Sequence, residues 1–156
     1  MQIAEVSPAD VDAITALWEE AGLTRPWNQP AADLHRALNG TTSTVLGAFT
    51  DDRLVGTTPV GTALVGTTLV GTTLVGTVMV GHDGHRGWVY YLAVAESERG
   101  AGLGRRLMQA AESWLREHGA VKLQLMVRDT NTHVIGFYDR LGYADADVRV
   151  LAKRLD

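Results

Sequence analysis

No cysteine occurs among the 156 residues. Disulfides, thiolate nucleophiles and cysteine-based metal sites are therefore excluded. A basic excess is also missing. The formal charge is −4, and basic residues never gather in more than twos and threes, so a nucleic-acid surface is not expected. No apolar run is long enough to span a membrane, because Gly and Thr interrupt the longest ones every few residues. The N-terminus lacks a basic stretch followed by an apolar one; no signal peptide is expected, and the cytoplasm is the expected location. The composition that remains, 46% apolar and 21% charged, is that of an ordinary globular protein, in a length suited to one domain over residues 1–156.

Gln2 to Val6 alternates weakly and predicts a first strand. Ser7-Pro8-Ala9-Asp10 then has the order of a helix start: a capping hydroxyl, a proline at the first helical position and an acid to close a capping box. Val11, Ile14, Leu17 and Trp18 follow at helical spacing up to Gly22. After the loop Thr24 to Pro30, a short second helix is predicted over Ala31 to Leu38. Thr44 to Phe49 predicts a strand, and Asp51-Asp52 a hairpin turn. Trp88 to Ala95, apolar and aromatic on both parities, predicts a strand covered on both faces. Leu103 to His118 predicts an amphipathic helix with Leu107, Ala110, Ala111, Trp114 and Leu115 on one side, closed by Gly119. A buried strand over Val121 to Val127, a helix over Asn131 to Leu141 and a final strand over Asp147 to Leu155 complete the order. The mixture predicts an α+β chain layered around one sheet.

Between the second and third predicted strands lies a five-residue repeat. Val55-Gly56-Thr57-Thr58-Pro59 and Val60-Gly61-Thr62-Ala63-Leu64 precede two copies of Val-Gly-Thr-Thr-Leu, and Val75-Gly76-Thr77-Val78-Met79 closes the series. Fully extended at about 3.3 Å per residue, Leu54 to Val80 would reach ~90 Å. A domain of this length is only about 40 Å across, so the stretch cannot be one strand. Deleting 20 residues, four copies, would leave an ordinary third strand. The repeat, 55–79, is accordingly read as an insertion into the hairpin, with Val75 to Gly81 as the true strand and a break near Pro59. A tolerated expansion is one reading. Self-association into a homodimer through Val/Thr-rich edges is the other.

The chemistry points to Arg99-Gly100-Ala101-Gly102-Leu103-Gly104-Arg105, which joins a buried strand to the long helix. The first N–H groups of a helix lack partners and carry partial positive charge, glycines let a phosphate approach them, and arginines add charge. Arg99, Gly102 and Gly104 fill the pattern Arg or Gln, two residues, Gly, one residue, Gly or Ala. Downstream stands Asn131-x-x-Val134-x-x-Phe137-Tyr138-Asp139-Arg140-Leu141-Gly142-Tyr143. Together, Leu92 to Tyr143 resembles the two signatures of the GNAT superfamily of acetyl-CoA-dependent N-acyltransferases; Val134 stands where Ala is commoner. Arg25-Pro26-Trp27-Asn28 and Asp83-Gly84-His85-Arg86-Gly87 resemble segments of a bacterial subfamily.

The resemblance implies a mixed, mostly antiparallel central sheet with helices on both faces. It also implies acetyl-CoA as cosubstrate and an amine of a small molecule or peptide as acceptor. Leu92, Ala93 and Val94 would bind the pantetheine arm by their backbone. Arg99, Gly100, Ala101, Gly102, Leu103, Gly104 and Arg105 would hold the pyrophosphate. Asn131 would contact pantetheine, or serve only as a helix cap. Tyr138 would protonate the leaving thiolate, unless it is simply a half-buried core tyrosine. Arg25, Trp27, Asn28 and one of Tyr90 and Tyr91 would meet the acceptor. Many relatives carry a Glu on the strand before the glycine loop to deprotonate the amine; Trp88 to Leu92 has no carboxylate. The candidates for that base are His85, His82, Asp83 and Glu96, although two histidines flanking Asp83-Gly84 also suit a plain solvated turn. A metal is not expected, because no further ligands accompany them. A module that holds acyl-CoA without turnover is the alternative to an enzyme.

Overall fold

The computed structural model describes residues 1–27, 29–52, 71–153 and 155. The chain falls into two compact units, Met1–Leu125 and Met126–Asp156.

The first unit is built on a five-stranded sheet of order β1-β2-β3-β4-β5. Its strands are β1 (Gln2–Glu5), β2 (Ser43–Asp52), β3 (Gly71–His82), β4 (Gly87–Val94) and β5 (Leu123–Gln124). The first four are antiparallel, and β5 joins β4 in parallel. Helix α1 (Val11–Glu20) is entered through one turn of 3-10 helix, Pro8–Asp10, with the predicted capping box at Ser7. The Ser7 N–H donates to Asp10 Oδ2 at 2.8 Å, and Ser7 Oγ accepts from the Ala9 N–H at 3.3 Å. Helix α2 spans Pro30–Asn39 and α3 Leu103–Glu117.

The helices cover both faces of the sheet. Trp18, Ile14 and Leu34 from α1 and α2 are buried with Val45 and Ala93 on one face. On the other, α3 buries Leu103, Leu107, Met108, Ala111 and Leu115. Its approach is close at two glycines. A Cβ at Gly76 would lie 2.9 Å from Leu107 Cδ1, and one at Gly87 would lie 2.5 Å from Leu115 Cδ1.

The repeat meets the sheet through β3. Register runs Phe49↔Leu74 and then Ala48↔Gly76, so Val75 is an extra residue in the ladder. Such a bulge reverses parity. It brings Leu74 onto the same face as Met79, where both pack against the α1–α2 core. The strand therefore begins at Gly71, four residues before the predicted Val75. Asp51 and Asp52 are not a turn: they extend β2 and pair with Thr72 and Gly71. Residues 53–70, with Pro59 and most of the repeat, lie outside the described residues.

Two predicted strands shrink or vanish. Val121 is 86% exposed, and only Leu123–Gln124 of Val121 to Val127 is paired. Asp147 to Leu155 forms no strand among the described residues. Val148, Val150 and Leu151 are exposed, and Asp147 sits at φ 53 in a turn where its N–H donates to Asp145 Oδ1. The second unit contains α4 (Thr132–Asp139), shorter than predicted and ended by Gly142 at φ 88.

Candidate active site

β4 changes character along its length. Gly87 and Trp88 pair with β5, and the ladder stops there. On the other edge, Met79 pairs with Tyr90 and Thr77 with Ala93, so two residues, Tyr91 and Leu92, stand opposite Val78 alone. Tyr91 adopts φ 49. A left-handed backbone at a bulky residue costs of order 1–3 kcal/mol and persists only where its surroundings hold it. Here the Tyr91 ring stacks on Trp18 at 4.0 Å, its hydroxyl donates to Asp33 Oδ2 at 2.8 Å, and its carbonyl accepts from Thr77 Oγ1 at 3.3 Å.

Past the bulge lie Leu92, Ala93 and Val94. The Ala95 N–H bonds the Val75 carbonyl, so by strand alternation the N–H and C=O of Val94 point to the opposite edge, which β5 does not reach. Arg99 Nε donates to the Val94 carbonyl at 3.2 Å, tying the following turn back to that edge. A 3-10 turn, Glu96–Glu98, carries the exposed Glu96. Gly100 at φ 81 and Gly102 at φ 83 then fold the chain into α3. A Cβ at either would meet nothing within 4 Å, so it is the backbone angle that requires glycine. Among the described residues no side chain caps α3, and its first turn holds no acid. Leu103 is buried in the core, whereas Ala101 and Arg105 are exposed and Gly104 is half-buried. The amides at this helix start and two nearby guanidinium groups suit a phosphorylated ligand.

On the α2 side of the sheet, a cleft of about 510 Å³ is lined by Asp33 and Arg36 of α2, Ser43 of β2, Met79 of β3 and Trp88, Tyr90 and Tyr91 of β4. Asp33 is half-buried and is also paired with Arg36, whose side chain is 70% exposed. The bulge explains why both tyrosines reach one cleft. Tyr90 shares a face with its partner Met79, and the irregular residue Tyr91 stays on that same face, over Trp18. Tyr90 is 43% exposed, and partial burial pushes its hydroxyl pKa up.

His82 and Asp83 also line the cleft. The His82 ring, however, packs toward α3, with centroids 6.0 Å from Trp114 and 5.8 Å from His118. Asp83 accepts from the backbone N–H groups of Arg86 at 2.6 Å and His85 at 2.8 Å, and from Trp88 Nε1 at 3.2 Å. These donors, Arg86 foremost, lower its pKa to about 2, which makes it a poor proton acceptor. His85 is exposed beside the Arg86 guanidinium and is not among the residues that line the cleft. Arg25 and Trp27 do not line it either. Arg25 Nη1 donates to the Gly22 and Thr24 carbonyls, and Trp27 is 63% exposed. Asn28 lies outside the described residues. Asp33 was not anticipated: an acid in the first turn of a helix reads as a dipole partner, and nothing local ties it to Tyr91.

In the second unit, Asn131 is the cap of α4, its Oδ1 accepting from the Val134 N–H at 3.4 Å. Tyr138 packs edge-on to Phe137 and Tyr143. Burial pushes its hydroxyl up to about 12.

Known proteins share this fold. A sequence profile of the acetyltransferase (GNAT) family matches residues 11–143. Among solved structures, the chain is similar to aminoglycoside 6'-N-acetyltransferase AAC(6')-IG from Acinetobacter haemolyticus (15% identity, 100% of both chains, TM-score 0.71). It is also similar to AAC(6')-Iy in complex with the bisubstrate analog CoA-S-monomethyl-acetylneamine (13%, 98% and 97%, 0.73). A third is a ribosomal-protein-alanine N-acetyltransferase from Brucella melitensis biovar Abortus 2308 (20%, 99% of both, 0.66). At such identities the likeness is one of fold, and the profile match carries the assignment. Because that match runs from α1 through the glycine turn to Tyr143, the chain belongs to the GNAT family, acetyltransferases that use acetyl-CoA.

Proposed function

We propose that this acetyltransferase acts on an amine of a small molecule or peptide, by direct attack on acetyl-CoA in a ternary complex. The observation that supports this most is the run from the open edge of β4 beyond Trp88 into the uncapped start of α3. Pantetheine amides add to β4 at Leu92 to Val94 as a short extra strand. The pyrophosphate takes the amides of Leu103, Gly104 and Arg105 with the guanidinium groups of Arg99 and Arg105, and Asn131 contacts the pantetheine arm. The Val94 N–H polarises the thioester oxygen.

The acceptor takes the cleft beside Tyr90. An alkylamine with pKa ~10 arrives as an ammonium ion and must lose a proton before it attacks. The Asp33 carboxylate and the rings of Trp88 and Tyr90 suit a cation. His85, whose turn begins at the cleft-lining Asp83, receives the proton through water. The neutral amine then attacks the acetyl carbonyl, the C–S bond breaks, and Tyr138 gives its proton to the departing thiolate. A hydroxyl that stays protonated up to about 12 is in the right form for that step.

Purified protein with acetyl-CoA should acetylate a member of a panel of amino acids, polyamines, aminoglycosides and peptide N-termini, detected by mass spectrometry. Tyr138→Phe should lower kcat by roughly 10²-fold or more, as loss of a general acid does. An unchanged kcat would remove Tyr138 from the mechanism.

A further inference from the structure

Thr77 is one of only two buried polar residues among the described residues, fully enclosed in a strand whose neighbours Val75, Val78 and Val80 are aliphatic. A hydroxyl in such a place must be satisfied or it destabilises the fold. Its bonding has one solution. Trp18 Nε1 can only donate, and it lies 2.8 Å from Thr77 Oγ1. Thr77 therefore accepts from Trp18 and directs its own proton to the Tyr91 carbonyl, 3.3 Å away. Trp18 also lies flat against the Tyr91 ring, at an interplanar angle of 15°. One buried indole and one buried hydroxyl thus hold both the side chain and the backbone of the residue at positive φ. That residue sits in the bulge beyond which, among the described residues, no strand pairs with the outer edge of β4.

We propose that Trp18 and Thr77 are positioning residues for the acyl-CoA strand: they fix the bulge at Tyr91 and so set the direction in which Leu92 to Val94 present their backbone to the cofactor. The inference rests on the reading of that edge as the pantetheine site. It also gives a role to the last unit of the repeat. Val75 is the parity-reversing bulge, Gly76 admits Leu107 of α3, and Thr77 reaches across to β4.

The test is acetyl-CoA binding by calorimetry at a temperature well below Tm, with Tm measured on the same samples. Thr77→Val keeps the volume but removes both hydrogen bonds. Its Kd for acetyl-CoA should rise about tenfold or more, the scale of one lost buried hydrogen-bond pair. Thr77→Ser should restore Kd to within about twofold of the parent, since it returns the hydroxyl. A purely structural role predicts a lower Tm with unchanged Kd in folded Thr77→Val, and that result overturns the proposal. Should Thr77→Val fail to fold, Trp18→Phe tests the same chain. It keeps a stacking ring, loses the N–H, and should weaken binding several-fold; unchanged binding overturns the proposal equally. Absence of binding by the unsubstituted protein would instead remove the pantetheine reading on which this one stands.

Discussion

Tyr90 and Tyr91 are adjacent in a strand, where alternation sends neighbours to opposite faces. A bulge cancels that rule, and both tyrosines line one cleft. Nothing in the local sequence marks the bulge; the groups that meet Tyr91 there, Trp18 and Thr77, come from other elements. Asp33 is unmarked in the sequence for the same reason: its partner, Tyr91, lies 58 residues away. Asp83 is the opposite case. Its turn is local and was legible as Asp-Gly, yet the same local bonds disqualify its carboxylate as a base. Those bonds depress its pKa from 3.8 to about 2. A depressed carboxylate contributes stability that is complete above its unfolded value and is lost as pH falls through the folded one. An NMR titration should place the Asp83 carboxyl near 2, its support of the turn being intact at pH 5 and fading toward pH 2. A midpoint close to 3.8 would show that the three donors do not hold it.

Among the elements, the long helix was the most legible. α3 has a strong apolar stripe, glycines at both ends and 15 residues, and its observed bounds differ from the predicted ones by a single residue. Short strands were read less well, since a strand exists only where a partner supplies the other half of its ladder. Val121 to Val127 has the residues of a strand but pairs at two positions, and Asp147 to Leu155 alternates without pairing among the described residues. The start of β3 is not fixed by the sequence, because the five-residue repeat alternates equally well from several starting points; the ladder with β2 chooses Gly71. The contact between α3 and the sheet offers a direct test. At Gly87 an added methyl would lie 2.5, 2.6 and 3.0 Å from three carbons of Leu115. Gly87→Ala should therefore lower stability by about 1–3 kcal/mol in urea denaturation, the usual cost of overpacking. An unchanged midpoint would mean that the helix yields freely there.

For the whole molecule, the proposed chemistry depends on one feature. Among the described residues, β3 pairs with β4 as far as Val94 but β5 only as far as Trp88, and the chain runs from that one-sided stretch through Gly100 and Gly102 into α3. The glycine turn was legible because its requirement is local: two positive φ angles and a helix start with no acid. The open edge is implied only by the family resemblance, through Leu92 to Val94; alternation alone does not mark it, because it reflects where β5 stops. Because the chain is acidic overall, at −4, the proposed pyrophosphate site depends on the local positive field of Arg99, Arg105 and the α3 amides. Calorimetric titration of acetyl-CoA into the unsubstituted protein and into Gly102→Glu tests this most directly, with circular dichroism confirming that both are folded. Saturable one-to-one binding, abolished by a carboxylate at the mouth of α3, is the expected result. Equal binding by the two proteins, or none by the first, would contradict it.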